Sequence, residues 1–308
     1  MSNVIQAPSA GRVKGHYRLE VREVGTNNLK QVREFDNLIT DHLLKLYSGQ
    51  YSSTNIFIVV GTGTTTPYPE ATDMGNQIAY KQFKYSEVIC NPTAPDYVSG
   101  RRLGARFNAG DINNTITEVG MTNQGNNKLC TWALITDDNG NLSPVTVGAN
   151  EYLDVYYELY YYPDLTETTG SFVLDGTTYQ YVAKPYAITN HVLHGISGIY
   201  SVWAAIYDSS AKVEDITYAY DGTVGKQCSW SSPENTDPRT VTYKLELNEG
   251  NFSDNLIGGA RISTIGYSTN WSISTNTRFV FTPAIPKDNT CTLQFTFALP
   301  TFRRYTAP

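Results

Sequence analysis

Charge is scarce in this chain. Of its 308 residues only 17 % are Asp, Glu, Lys or Arg, and the net charge is −6. No run of Lys or Arg forms a stripe, so the electrostatic footprint of a nucleic-acid partner is missing and none is expected. The 4 cysteines, Cys90, Cys130, Cys228 and Cys291, stand far apart with no C-x-x-C pair. That spacing rules out the usual zinc frameworks and a dense disulfide scaffold. Cys130 and Cys291 fall inside apolar strand patterns and read as buried free thiols. No apolar run approaches the ~20 residues of a membrane span, and the first residues lack a basic-then-apolar signal. A chain made in a cytosol and staying soluble, with no membrane span, is the expectation.

The chain is rich in material for strands and turns. Hydrophobic residues make up 40 %, with 23 tyrosines, 24 glycines and 14 prolines, while Thr, Ser and Asn supply the polar surface. The expected fold is mainly β, with two β-sandwich-like domains, the first carrying a short helix packed on a sheet. Its length suits one large domain or two ordinary ones. Residues 1–15 have no periodicity and read as an N-terminal arm that orders against a neighbour. Residues 16–165 form a β domain with the helix and 166–308 a β-sandwich, divided at the polar stretch 163–170.

Along the chain, Tyr17, Leu19 and Val21 alternate with Arg18, Glu20 and Arg22, the period of a half-buried strand. Gly25, Thr26, Asn27 and Asn28 supply a tight turn, and residues 29–35 return as the second strand of a hairpin. Asn37 or Thr40 can cap a helix that carries Asp41 in its first turn, ends at Gly49, and places Ile39, Leu43, Leu46 and Tyr47 on one face. His42 lies beside that stripe in a structural role. Residues 56–60 are continuously apolar, a strand covered on both faces, broken by Gly61, Thr62 and Gly63. A helix over 70–79 and strands over 80–89, 101–107, 115–121 and 129–136 follow. In the strand over 151–161, Leu153, Val155, Tyr157, Leu159 and Tyr161 face inward. Tyr152, Asp154, Tyr156, Glu158 and Tyr160 form an acidic, tyrosine-rich outer face. Strands continue over 172–174, 178–183, 200–207, 240–247, 260–265, 278–282 and 291–299.

Few residues invite a chemical reading, and each has a plainer one. The run 61–67, GTGTTTP, lacks both G-x-G-x-x-G spacing and Gly-Lys-Ser/Thr. Residues 137–141, DDNGN, begin like a calcium loop, but Leu142 stands at the loop glycine and the twelfth-position glutamate is missing, so Asn139 and Gly140 read as a hairpin turn between two strands. His191 and His194 have metal-compatible spacing but no third ligand. Residues 195–198, GISG, fall one residue short of a nucleophile elbow. Asp154 and Glu158 share a strand face, and glycosidases use paired acids, but the chain shows neither the repeat nor the cleft signal of such enzymes. No catalytic, metal or cofactor residue is assigned, and an enzyme is not expected.

Five stretches carry a resemblance. Residues 35–43 read F-D-N-L-I-T-D-H-L and residues 60–67 read V-G-T-G-T-T-T-P. Residues 118–121, 129–134 and 153–159 read E-V-G-M, L-C-T-W-A-L and L-D-V-Y-Y-E-L. Their order and spacing over residues 15–163 resemble a loose group of bacteriophage virion proteins of tails, fibres and collars. Trp132 departs from the pattern, standing where that group commonly has a small or basic residue.

The resemblance implies a structural virion subunit in a tail, neck, collar or fibre, made in the host cytoplasm and found in the virion. It would assemble with copies of itself, as a ring or trimer, and with neighbouring virion proteins. Tyr152, Tyr156 and Tyr160 are the candidate interface residues. The alternative is a carbohydrate or host-receptor-binding module of a phage appendage, with Trp230 and Trp271, both in polar settings, stacking on a host surface glycan.

Overall fold

The computed structural model describes residues 4–6, 11–47, 56–91, 98–123, 128–162, 164, 166–186, 199–207, 229–230, 234–237, 240–247, 255–266, 275–288, 290, 292–300 and 303–305. Period-two alternation dominates the sequence, and the chain is accordingly mainly β. Its first elements are Val4–Gln6 (β1), Arg12–Glu23 (β2), Leu29–Asp36 (β3), Leu38–Ile39 (β4) and the helix Asp41–Tyr47 (α1). Then come Ile56–Gly61 (β5), Gln77–Gln82 (β6), Tyr85–Asn91 (β7), Val98–Phe107 (β8), Asn114–Ile116 (β9) and Glu118–Asn123 (β10). Lys128–Leu134 (β11), Val145–Val147 (β12) and Glu151–Tyr162 (β13) complete this half.

Two sheets enclose its core. One runs β4-β11-β10-β5-β6, and the other β23-β2-β13-β8-β7 with β3 on β2, β23 being Arg303–Arg304 from the far end of the chain. Between them Leu19, Val21, Leu103, Phe107, Leu153, Val155 and Leu159 meet Ile56, Ile58, Val60, Val119, Met121 and Ala133. Tyr17 stands at the centre. Its ring lies 4.7 Å from that of Tyr157, and its hydroxyl, 2.5 Å from Thr131 Oγ1, ties the two sheets together. Tyr17→Phe leaves that threonine without its partner and is expected to cost about 1–2 kcal/mol. In urea unfolding this lowers the midpoint without changing the slope.

Thr40, not Asn37, caps the helix. Its Oγ1 accepts from Leu43 N (3.4 Å) and donates to Leu129 O (2.6 Å), which fastens α1 to β11. Ile39 belongs to β4, while Leu43 is fully buried. Gly49 lies outside the described residues, as do the side chains of Leu46 and Tyr47.

The second half comprises Thr168–Leu174 (β14), Thr177–Tyr186 (β15), Ile199–Tyr207 (β16), Ser229–Trp230 (β17) and Glu234–Asp237 (β18). Thr240–Leu247 (β19), Asn255–Gly266 (β20), Thr275–Lys287 (β21) and Leu293–Pro300 (β22) follow. They form the sheets β14-β15-β21-β20-β16 and β1-β22-β19-β17, with β18 on β19. Aromatic rings join the two sheets: Phe281 stacks on Phe295 at 5.6 Å, and Phe172 meets both edge-on.

Several expectations are corrected. Residues 70–79 form no helix. The strand expected over 80–89 is two, β6 in one sheet and β7 in the facing one. The strand over 115–121 likewise breaks at Thr117 into β9, which pairs with β12, and β10. Asn139 and Gly140 do turn, with Gly140 at φ +81°, but a single bridge, Thr136 to Leu142, closes the turn in place of a strand ladder. Residues 12–15 are strand, and Val4–Gln6 pairs with β22 of its own chain. Each end of the chain thus enters a sheet built from the other half: β1 runs parallel to β22, and β23 parallel to β2.

Candidate functional site

The back of the β5 strand is as apolar as its front. Val59 packs there with Ala71, Leu129 and Trp132 beneath the loop that joins β5 to β6. Into this apolar layer the sequence places one carboxylate, Glu118, at the start of β10 and fully buried. Gly63 N (2.8 Å) and Asn76 N (2.7 Å) donate to Oε1, while Gly75 N (3.1 Å) and the Trp132 indole Nε1 (2.9 Å) donate to Oε2. A carboxylate has about four acceptor sites, so Glu118 is saturated. Aimed N–H dipoles replace the water that burial removes.

This explains the glycines. A Cβ on Gly61 would lie 2.5 Å from Glu118 Oε1, and one on Gly63 2.4 Å from the same atom. The segment read as a helix is a loop because the N–H groups of Gly75 and Asn76 point at Glu118. Thr117 Oγ1 adds a bond to Gly63 O (2.6 Å). With every acceptor site filled, Glu118 holds three distant segments together.

The outer face of the β2, β13 and β8 strands is the second feature. Register places Asp154 opposite Arg106 and Glu158 opposite Arg102, with Glu20 beside Asp154 on β2. Arg106 grips Asp154 through two bonds, 2.6 and 2.7 Å, and lays its guanidinium 4.1 Å over the Tyr152 ring. Arg18 (2.7 Å) and Arg22 (2.7 Å) hold Glu20. Arg102 holds Glu158 (2.6 Å) and Glu87 (3.0 Å). The acids lie low against the sheet and the arginines lie over them: the Asp154 side chain is 6 % exposed and that of Arg106 50 %. Burial alone pushes the Glu158 carboxyl up, but the Tyr160 hydroxyl and Arg102 more than reverse it, leaving it below its ordinary value. A glycosidase acid needs the opposite shift.

Of the candidate interface tyrosines, Tyr152 is buried, its hydroxyl on Asn27. Tyr156 and Tyr160 are half-buried on the same face, and the Tyr160 hydroxyl donates to Glu158. Trp230 lies in β17 opposite Leu245. Trp271, His191, His194 and residues 195–198 lie outside the described residues. Asp137 spends its carboxylate on its own turn, accepting from Asn139 N and Asn141 N at 2.9 Å. Among the described residues no group of three or more His, Cys, Asp or Glu is placed to hold a metal ion, and no helix is long and apolar enough to cross a membrane. Cys130 is a buried free thiol, its titration pushed up by that burial.

Burial pushes His42 down to about 4, helped by the charges of Lys128 and Lys45. The unfolded chain therefore takes up a proton near 6.5 that the folded chain refuses until about 4, and stability falls as pH drops through that window. For one proton the slope cannot exceed about 1.4 kcal/mol per pH unit. His42→Gln is expected to flatten it in unfolding midpoints measured against pH. Glu20 and Glu158, both held below the ordinary 4.5, weaken the fold only at lower pH.

Sequence reasoning missed the Glu118 knot. Its signal was one charge inside a strand whose every other residue is buried, β10. Compared with known proteins, the chain matches no family model, no curated protein and no solved structure.

Proposed function

We propose that this chain is a structural component of a bacteriophage virion, a tail, neck, collar or fibre subunit that acts by oligomeric assembly and by contacts with neighbouring virion proteins. One observation carries the reading. Three of the five sequence pieces that bear the resemblance, V-G-T-G-T at 60–64, E-V-G-M at 118–121 and L-C-T-W-A-L at 129–134, meet at a single buried carboxylate. In this chain those three pieces are parts of one physical device, which supports reading them together. Arginine and tyrosine on the outer sheet face add to it, since both are enriched where protein surfaces meet.

Immunogold microscopy on purified particles of the phage that encodes the chain tests this. Gold at a fixed place on the neck or tail is the expected result. Labelling confined to fibre tips, together with binding to host glycans, would move the function to receptor recognition. Particles left without gold would sink the virion reading.

A further inference from the structure

β1 is three residues long, Val4–Gln6, and pairs with residues 296–298 at the edge of its sheet. One apolar anchor, Ile5, is 1 % exposed there. A three-residue ladder at the edge of a sheet belongs to the low-stability part of a fold. The opposite end is held more firmly: Arg304 Nε donates to Ile39 O (2.5 Å), its guanidinium pairs with Asp41, and Tyr305 N donates to Val13 O (2.8 Å). Of the two crossing tips, the N-terminal one is the easier to release.

Its pivot is fixed. Gly11 sits at φ +120°, a Cβ there would lie 2.3 Å from Tyr162 O, and its carbonyl accepts from Arg303 N (3.0 Å). In sequence only residues 7–10, Ala-Pro-Ser-Ala, separate this post from β1. Once β1 leaves, β22 presents an unpaired edge, which is a template for another strand. The same edge exists on every copy of the chain, and a second copy's Val4–Gln6 would find the same ladder and the same seat for Ile5.

We propose that β1 is exchanged between copies, the Val4–Gln6 strand of one adding to β22 of the next. Exchange of an identical element keeps every contact. It prevails over pairing within the chain where copies are held side by side at high effective concentration. Reciprocal exchange closes a two-fold dimer, and one-way exchange from copy to copy closes a ring or propagates along a fibre. This rests on the assembly part of the function proposed above and not on its virion part.

The test uses two full-length chains with different tags, one carrying Gln6→Cys and the other Ala298→Cys, which are register partners. The two are mixed at high concentration and oxidised. The expected product is the mixed disulfide, several-fold above either homodimer. A mixed product no more abundant than the homodimers overturns the proposal. Ile5→Asp in the first chain is expected to remove that excess, and persistence of the excess also overturns it. By light scattering, the unsubstituted chain at the same concentration is expected to be oligomeric and the Ile5→Asp chain monomeric, whereas equal masses count against exchange. Particles that fail to label with gold leave these results unchanged, so the two proposals fail separately.

Discussion

Glu118→Ala is expected to abolish cooperative unfolding, or to lower stability by about 5 kcal/mol, a large share of the 5–15 kcal/mol that holds a typical fold together. Four N–H groups, on Gly63, Gly75, Asn76 and Trp132, lose the acceptor they share at once, in a buried site. Each stranded donor costs about 1–3 kcal/mol, and the loop that carries three of them can relax only in part. Glu118→Gln separates charge from shape. Its oxygen still serves Gly63 and Asn76, but its amide then points at the N–H groups of Gly75 and Trp132, donor against donor, for an expected loss of about 3 kcal/mol. Urea unfolding followed by circular dichroism and tryptophan fluorescence measures both. An alanine variant within about 1 kcal/mol of the native chain would mean that the four donors have other partners.

Gly63→Ala comes next, with an expected loss of about 3 kcal/mol. The added methyl would lie 2.4 Å from Glu118 Oε1, 2.8 Å from Asn76 N and 2.8 Å from Gly75 Cα. Two of those three neighbours are backbone, so no side chain can swing aside to make room. Gly140→Ala is the control. At φ +81° it has nothing within 4 Å, so only the left-handed backbone resists, at about 1 kcal/mol. Combining Gly63→Ala with Glu118→Ala is expected to cost less than the sum of the two, because both disrupt the same contact. Additive losses in thermal unfolding would place their effects in separate parts of the structure.

What could be read from sequence followed physical range. Long alternating strands such as β2 and β13 were legible because the period of two is written in neighbouring residues. The hairpin turn was legible too, since Gly25 and Asn27 adopt the positive φ that such a turn requires. The two strand breaks were not. Phe83 and Thr117 stand where the chain passes from one sheet to another, and the pattern runs on unbroken across both. The knot was hidden for a different reason: Glu118 meets partners 42, 43 and 55 residues earlier, through backbone N–H groups that every residue type carries. Trp132, which stood out as a departure, has a physical reason in the structure, since its indole supplies the fourth donor. On the outer face, sequence put Tyr152 among exposed residues, whereas the structure buries it. Sequence had no means of showing that Arg106, paired with the neighbouring Asp154, would cover the ring.

The crossed ends of the chain also set how it carries load. β2 leaves Gly11 in the same direction that β23 takes toward Tyr305, so pulling the two termini apart slides these parallel strands past each other. The Arg303 and Tyr305 amide bonds and the Arg304 grip on Ile39 and Asp41 are then strained together rather than unzipped one at a time. Until they give way, little tension reaches the strands between Gly11 and Arg303, and only β1, which lies outside that span, is exposed to the pull.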